Sequence, residues 1–313
     1  MSTDLKALDV DGDVRVKHRQ HPVWWVVTGL VVLAALGAAN IFITNPNLDW
    51  GVVGEYFFSP QILRGLWLTI VLTVLSMAAG ISIGVVAALM RLSPIRILRW
   101  VAWFYVWFFR GTPLLVQIIF WFNLAALLPE ISIGVPFGPT LVELDVNDVV
   151  TPFTAALLGL ALNEGAYMSE IIRGGIQSVD GGQDEAARAL GMTGGRRMRR
   201  VVLPQAMRVI IPPTGNQVIS MLKSSSLVSV TSLPELLYSA QLVYQRTFET
   251  IPLLVVASLW YLIVTTLLTI GQYYIERHFA RGSLRHQPQT PVQIFTSGIR
   301  RLVSTPPQKG GRP

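Results

Sequence analysis

The chain has 313 residues, 51% hydrophobic and only 14% charged, with a mean hydropathy of +0.50; a soluble domain carries about 25% charged residues, so the composition points to a membrane protein. The net charge of +7 comes from Lys and Arg in short hydrophilic segments between long apolar ones, which does not suit a nucleic-acid surface. Cysteine is absent and His18, His21, His278 and His286 all fall in polar terminal stretches, which excludes a disulfide framework, thiolate chemistry and a zinc or haem site.

A bilayer core takes about 20 apolar residues as a helix, and six segments reach that length, predicting an all-α integral membrane protein with six transmembrane helices. After a polar tail at residues 1–22, Val23 to Ile43 forms the first span, anchored by Trp24 and Trp25; it is too long for a secretory signal and lacks a small-residue cleavage site. Leu66 to Met90 is the second, uncharged throughout, and its Gly80 and Gly84 form a small-xxx-small face open to close helix packing or to plain lipid contact. The third runs from the aromatic cluster Trp100, Trp103, Tyr105 and Trp107 to Leu128, interrupted by Arg110 and Pro113. Phe153 to Ile172, Val209 to Val230 and Ile251 to Ile275 complete the set. Basic residues near spans favour the cytoplasm. With the N-terminus inside, the outer segments hold only Arg64 and Arg246 against eight acids, so both termini are expected in the cytoplasm. The tail at 283–313, rich in Pro, Gln, Gly and Arg, lacks the apolar content to order itself.

The segment at 174–204 is longer than a connecting loop needs. Its sequence predicts a short helix over Glu185 to Leu190 capped by Asp184 and ended by Gly191 in a left-handed conformation, then an amphipathic helix from about Gly195 to Pro204. Such short helices are not stable alone, so the pair reads as a knob that meets another protein.

Glu185-Ala186-Ala187, Gly191 and Val201-Val202-Leu203-Pro204 in this spacing resemble the EAA signature of ABC-importer permeases. Arg110-Gly111-Thr112-Pro113-Leu114-Leu115-Val116-Gln117, Ala166-Tyr167 with Glu170 and Arg173-Gly174-Gly175-Ile176, Gly182-Gln183 and Leu203-Pro204-Gln205-Ala206 narrow the resemblance to polar amino acid permeases of the histidine, glutamine and glutamate type. It covers residues 61–282 and implies a five-span type I permease core to which 23–43 adds an extra helix. It also implies coupling to ATPase subunits through Glu185, Ala186, Ala187, Gly191, Leu203 and Pro204. The implied partners are two ATP-binding subunits, a second permease of the same or a paralogous kind, and an extracytoplasmic substrate-binding protein. ATP and Mg would be bound by the ATPase partners, since this chain has no GxxxxGK[ST] phosphate loop, and the chain itself would carry no cofactor and no enzyme activity. One departure stands out: Lys223-Ser224-Ser225-Ser226-Leu227 replaces the family's usual Lys-Asp-Thr-Ser-Leu.

Charges at bilayer depth cost about 2.5 to 3.5 kcal/mol on the most lenient scale, which singles out Arg110, Glu164 and Lys223. Helical rise puts Arg110 and Glu164 about 15 and 16 Å deep and Gln117 about 25 Å along the third span. Glu164 is a candidate for the ammonium of an amino acid and Arg110 for its carboxylate; the competing readings are an Arg110–Glu164 ion pair, or Arg110 bound to carbonyls freed by Pro113. Gln117 suits a substrate or a neighbouring helix equally, as do Asn163 and Asn216. Glu170 and Arg173 read as a helix-face ion pair. The function expected is an ATP-driven importer permease in the bacterial cytoplasmic membrane; the alternative is an ion-coupled secondary amino acid transporter with Glu164 as its ion site.

Overall fold

The computed structural model describes residues 22–134 and 140–280; the tails expected at 1–22 and 283–313 lie outside them apart from Pro22. Two compact units divide after Asp49. The first consists of α1 (Pro22–Thr44) and a 3-10 turn at Pro46–Leu48, where Asn45 accepts from the Asn47 amide at 3.0 Å. Trp25–Thr44 is long and apolar enough to cross a membrane by itself.

The second unit begins with α2 (Trp50–Phe57), α3 (Pro60–Leu92), α4 (Arg96–Gly111), α5 (Leu114–Phe122) and the short α6 (Leu124–Leu127). A hairpin follows, β1 (Glu130–Gly134) antiparallel to β2 (Thr140–Asp145), then α7 (Val146–Val149) and α8 (Pro152–Gln177). Next come α9 (Gly181–Ala189), α10 (Gly194–Arg197), a π-helical turn at Met198–Val202 and α11 (Leu203–Ser224). A 3-10 turn at Ser225–Thr231, α12 (Leu236–Thr247) and α13 (Thr250–Ala280) close the unit. The architecture is the expected helical one. The hairpin is an addition, and its alternating Ile131 and Ile133, followed by Gly134, Pro136 and Gly138, carry the strand-and-turn signal that the search for apolar spans passed over.

Local chemistry starts the long helices. Ser59 before Pro60 and Thr151 before Pro152 use the same device: the hydroxyl accepts the amide three residues on, at 3.4 and 3.2 Å, and proline fills the first helical position where no donor is needed. α3 and α13 also qualify as spans on their own, whereas α4 and α5 qualify only together and are bent by 102° at Thr112-Pro113. The third span, read from the sequence as interrupted by Arg110 and Pro113, is broken at that interruption. α8 and α11 are long enough to cross but carry Glu164, Glu170 and Arg173, and Arg208 and Lys223, within their lengths.

The central contact is α3 against α8. An alanine Cβ at Gly80 would lie 2.8 Å from the Glu164 Cβ, and one at Gly84 2.5 Å from the Met168 Cβ. At Gly165, on the facing helix, it would meet the Tyr105 hydroxyl at 2.6 Å and Ile83 at 2.8 Å. The glycine face anticipated on the second span is thus a packing face. Around it Leu72, Met77, Ile118, Ala156 and Leu160 form one apolar cluster, and Ala88, Met168, Ile172, Ala206 and Ile210 another. A third joins α2, α3, α12 and α13 through Val53, Ile62, Leu236, Leu253 and Val256.

Gly84→Ala should therefore lower the stability of the purified protein by about 1 to 3 kcal/mol, the usual cost of overpacking. Gly271→Ala, whose Cβ would meet nothing within 4 Å, should leave it unchanged or slightly raised. Thermal unfolding in detergent compares the two, and equal midpoints would contradict a close-packed α3–α8 seam.

Candidate functional site

Pro113 explains the break and much of what surrounds it. It has no amide hydrogen, so the carbonyl four residues earlier, Phe109 O, has no helical donor. Gln117 Nε2 reaches that oxygen at 2.9 Å and Asn163 Nδ2 reaches it from α8 at 2.8 Å. Gln117 also donates to the Thr112 carbonyl at 3.1 Å and hydroxyl at 2.7 Å, while the Thr112 hydroxyl closes the Phe108 carbonyl at 2.8 Å. Asn163 Nδ2 lies 3.4 Å from Gln117 Oε1, linking the two amides. Gln117 is buried, and its donors are occupied by the break. Arg110, in the last turn of α4, places its guanidinium carbon 5.2 Å from the centroid of the Tyr167 ring. No ion pair joins it to Glu164, and it does not bond the carbonyls at the break.

Glu164, directly after Asn163, sits on the α3-facing side of α8, against Gly80, and is 5% exposed. Gly80, against which Glu164 packs, lies about 30 Å along α3 from Pro60 and about 18 Å before Leu92 by helical rise. Glu164 Oε2 accepts from Gln217 Nε2 of α11 at 3.4 Å, a long bond, and Glu164 Oε1 has no donor. Tyr105 beside it is occupied, donating to Leu162 O at 2.6 Å. A carboxylate oxygen without a donor inside a packed core is costly, so the arrangement is chemically incomplete and suits a cationic hydrogen-bond donor. Lys223 closes α11 at an exposed position, and the serines after it act locally, Ser225 donating to Leu222 O and Ser226 to Lys223 O, both at 2.7 Å.

The knob is built from both short helices, with two adjustments to the sequence reading. Asp180, not Asp184, caps α9, accepting the Gly182 amide at 2.7 Å, because Gly181 and Gly182 enter the helix rather than precede it. Asp184 instead pairs with Arg188 at 2.8 Å and with Arg197, fastening α9 to α10. Gly191 has φ +72°, and the amides of Gly191 and Met192 close on the carbonyls of Arg188 and Ala187 at 2.9 and 3.1 Å, the paired bonds of a glycine-ended helix. Glu185, Ala186 and Leu190 face outward, Leu190 at 82% exposure, whereas Ala187 is buried within the knob. No loop separates the knob from α11. Pro204 withholds its donor from Arg200 O, and the backbone widens there: the Leu203 amide bonds Met198 O in π fashion and Gln205 Nε2 takes Val201 O at 3.0 Å. Leu203 and Pro204 are exposed on the first turn of α11.

Two carboxylates matter more than the sequence indicated. Glu170 pairs with Arg173 at 2.6 Å as expected, and also with Arg91 of α3 at 3.0 Å. Glu235, counted only as an outer acid, is fully buried at the start of α12, where it accepts from the Tyr238 and Leu237 amides at 2.8 and 3.0 Å and from Tyr261 at 3.0 Å. Pro234 before Glu235 is the local trace of this cap; its long-range partners Thr69 and Tyr261 leave none.

A broken helix, a buried carboxylate and a glycine-ended knob on one helical core suit a transport-system membrane subunit, and the chain belongs to the family of binding-protein-dependent transport system inner membrane components, whose family model matches residues 80–281. It is 42% identical to the arginine transport system permease protein ArgU of Corynebacterium glutamicum over 87% of this chain and 85% of that one. It is 40% identical to the L-cystine transport system permease protein TcyB of Bacillus subtilis over 75% and 92%. Among solved structures, that of an amino acid ABC transporter with histidines matches with a TM-score of 0.61 and 36% identity, covering 72% of this chain and 97% of that one. An inward-facing methionine ABC transporter shares the fold at 20% identity and a TM-score of 0.54.

Because Gln117 and Asn163 each supply a donor to Phe109 O, either can partly cover for the other. Gln117→Leu or Asn163→Leu alone should lower stability modestly. The double variant should cost more than the sum of the two by about 1 to 3 kcal/mol, the penalty of a buried unpaired carbonyl. Unfolding midpoints of the four proteins in the cycle test this, and strict additivity would mean that the two amides do not share that oxygen.

Proposed function

We propose that the chain is the permease subunit of an ATP-driven importer that moves polar amino acids across the bacterial cytoplasmic membrane by alternating access, with six spans and both termini inside. Two ATPase subunits, which bind ATP and Mg, grip the knobs of two permease copies, and an extracytoplasmic binding protein delivers the substrate. The observation that carries this reading is the knob: a self-closed helical unit with Glu185, Ala186 and Leu190 outward, continuous with α11, whose Gln217 is the residue that touches Glu164. Motion at the knob thereby reaches the mid-depth carboxylate. The relatives named for arginine and L-cystine transport support an amino acid as cargo.

Within this reading Glu164 meets a cationic group of the substrate. In the conformation described it is closed off, and withdrawal of Gln217 with α11 opens it. Gln117 and Arg110 act from the helix break: Gln117 holds the break in shape, and Arg110, stacked on Tyr167, stands beside the path of the substrate's carboxylate. An ion-coupled carrier would have no use for the outward face of the knob. Uptake into proteoliposomes separates the two mechanisms: it should require ATP and the ATPase subunits and persist when the proton and sodium gradients are collapsed.

Two substitutions test the parts separately. Gly191→Asn adds a side chain in open space with a residue that tolerates positive φ, so the knob should stay folded while the ATPase subunits no longer co-purify and uptake is lost. Retention of both would remove the docking assignment. Glu164→Gln keeps the shape and removes the charge. Expression and basal ATPase activity should stay near wild type while uptake falls at least about tenfold, or 1.4 kcal/mol; unchanged uptake would move the substrate site elsewhere.

A further inference from the structure

The end of α3 and the start of α4 form a second site of different chemistry. The Ser93-Pro94-Ile95 connection turns the chain so that Arg91 and Arg99 line one cavity. Two adjoining cavities share Arg91 and Trp103. One of about 260 Å³ is lined by Arg91, Arg99, Trp100 and Trp103. The other, of about 410 Å³, continues along α4 past Trp107 to Arg110, with Tyr167 and Glu170 on its far wall.

Among the described residues Glu170 is the one carboxylate lining either cavity, and both its oxygens are occupied, Oε1 by Arg91 at 3.0 Å and Oε2 by Arg173 at 2.6 Å. Arg99, which is exposed, makes a single 3.5 Å contact with the Ser93 carbonyl. Among the described residues the cavity therefore offers guanidinium donors and no unengaged carboxylate. Its other wall is a row of indoles: Trp100 and Trp103 meet edge to face at 5.5 Å, and Trp103 and Trp107 stack at 6.1 Å. All three are about half exposed or more. Arg64 and Arg91, near opposite ends of α3, are about 40 Å apart by helical rise, the thickness of a bilayer with its headgroup layers. Arg91 and Arg99 thus lie at headgroup level, and the indoles lead from there toward the hydrocarbon.

We infer that this groove is a binding site for an anionic glycerophospholipid, the phosphodiester on Arg99 and Arg91 and an acyl chain along Trp103 and Trp107. Basic pockets between membrane helices bind anionic head groups, and two features of this one narrow the ligand. The indole row gives a hydrocarbon chain a surface that free phosphate would not use. The engaged state of Glu170 leaves no carboxylate for the ammonium of a zwitterionic lipid, so a lipid with net negative charge is selected. The inference needs only that α3 and α4 meet the bilayer, and it holds whichever substrate the permease carries.

The test uses the permease purified with its ATPase subunits and examined by native mass spectrometry after addition of phosphatidylglycerol or phosphatidylcholine with identical acyl chains. The wild type should retain phosphatidylglycerol at least about fivefold over phosphatidylcholine, the selectivity of about one arginine contact. Arg99→Gln combined with Trp103→Leu should bring the two lipids level, while Arg208→Gln, an exposed cation on α11, should not. Equal retention of both lipids by the wild type would overturn the site, and displacement of phosphatidylglycerol by millimolar inorganic phosphate would make it a plain anion site instead. A photo-crosslinker placed at Trp103 should yield lipid adducts; adducts to a second permease copy would assign the groove to a protein interface and also overturn the proposal.

Discussion

At Gly80, Gly84 and Gly165 the backbones of α3 and α8 approach so closely that a single methyl group on any of them would collide with the other side or with Tyr105. In a bilayer, apolar side chains gain little by leaving lipid for protein, and association rests on close van der Waals packing. This seam supplies it, and it also determines where the polar groups sit. Glu164 is held against Gly80, Tyr105 of α4 fits into the gap at Gly165, and Asn163, next along α8, is thereby brought to the Phe109 carbonyl. A wider seam would let lipid or water between these groups and dissolve their geometry.

The second constraint is that backbone and side-chain polar groups away from water need partners. The structure meets it with side chains drawn from distant segments. Phe109 O is served by Gln117 and Asn163, and Glu235 is enclosed by two amides, Thr69 and Tyr261. Against that background the exceptions among the described residues carry information: Ser76 Oγ, Ser169 Oγ and Glu164 Oε1 are buried without a partner. A hydroxyl left over costs little by comparison. A carboxylate oxygen left over is the costlier exception, and it falls on Glu164, beside the α3–α8 seam.

Features encoded within one turn were legible in the sequence: the apolar runs, the glycine face of the second span, the left-handed Gly191 and the Glu170–Arg173 pair. Those that depend on a distant partner were not. Gln117 looks the same in sequence whether it meets a substrate, a helix or a carbonyl orphaned by Pro113, and only the bend between α4 and α5 brings it back to Phe109 O. Ala186 and Ala187 are equivalent letters until α10 packs against α9 and buries one of them. The cap at Asp180 was missed because a Gly-Gly pair reads as a break, although glycine enters a helix when a carboxylate satisfies its first amides. Break angles, such as the 102° between α4 and α5, follow from tertiary packing and have no local signature.

Because α10, the π turn and α11 run on without a loop, the knob is the end of a rod about 45 Å long from Gly194 to Ser224. A rod transmits torque where a loop would absorb it, so a tilt of a few degrees at the knob becomes a displacement of several ångströms at the far end. The rod is not uniform. Pro212 and Pro213 withhold two successive amide donors, leaving the Arg208 and Val209 carbonyls outside the helical pattern, and bending there meets the least resistance. That compliant stretch lies one turn before Gln217, the α11 side chain that hydrogen-bonds Glu164. A load applied to this helix at its knob end would therefore bend it within one turn of its contact with Glu164 of α8.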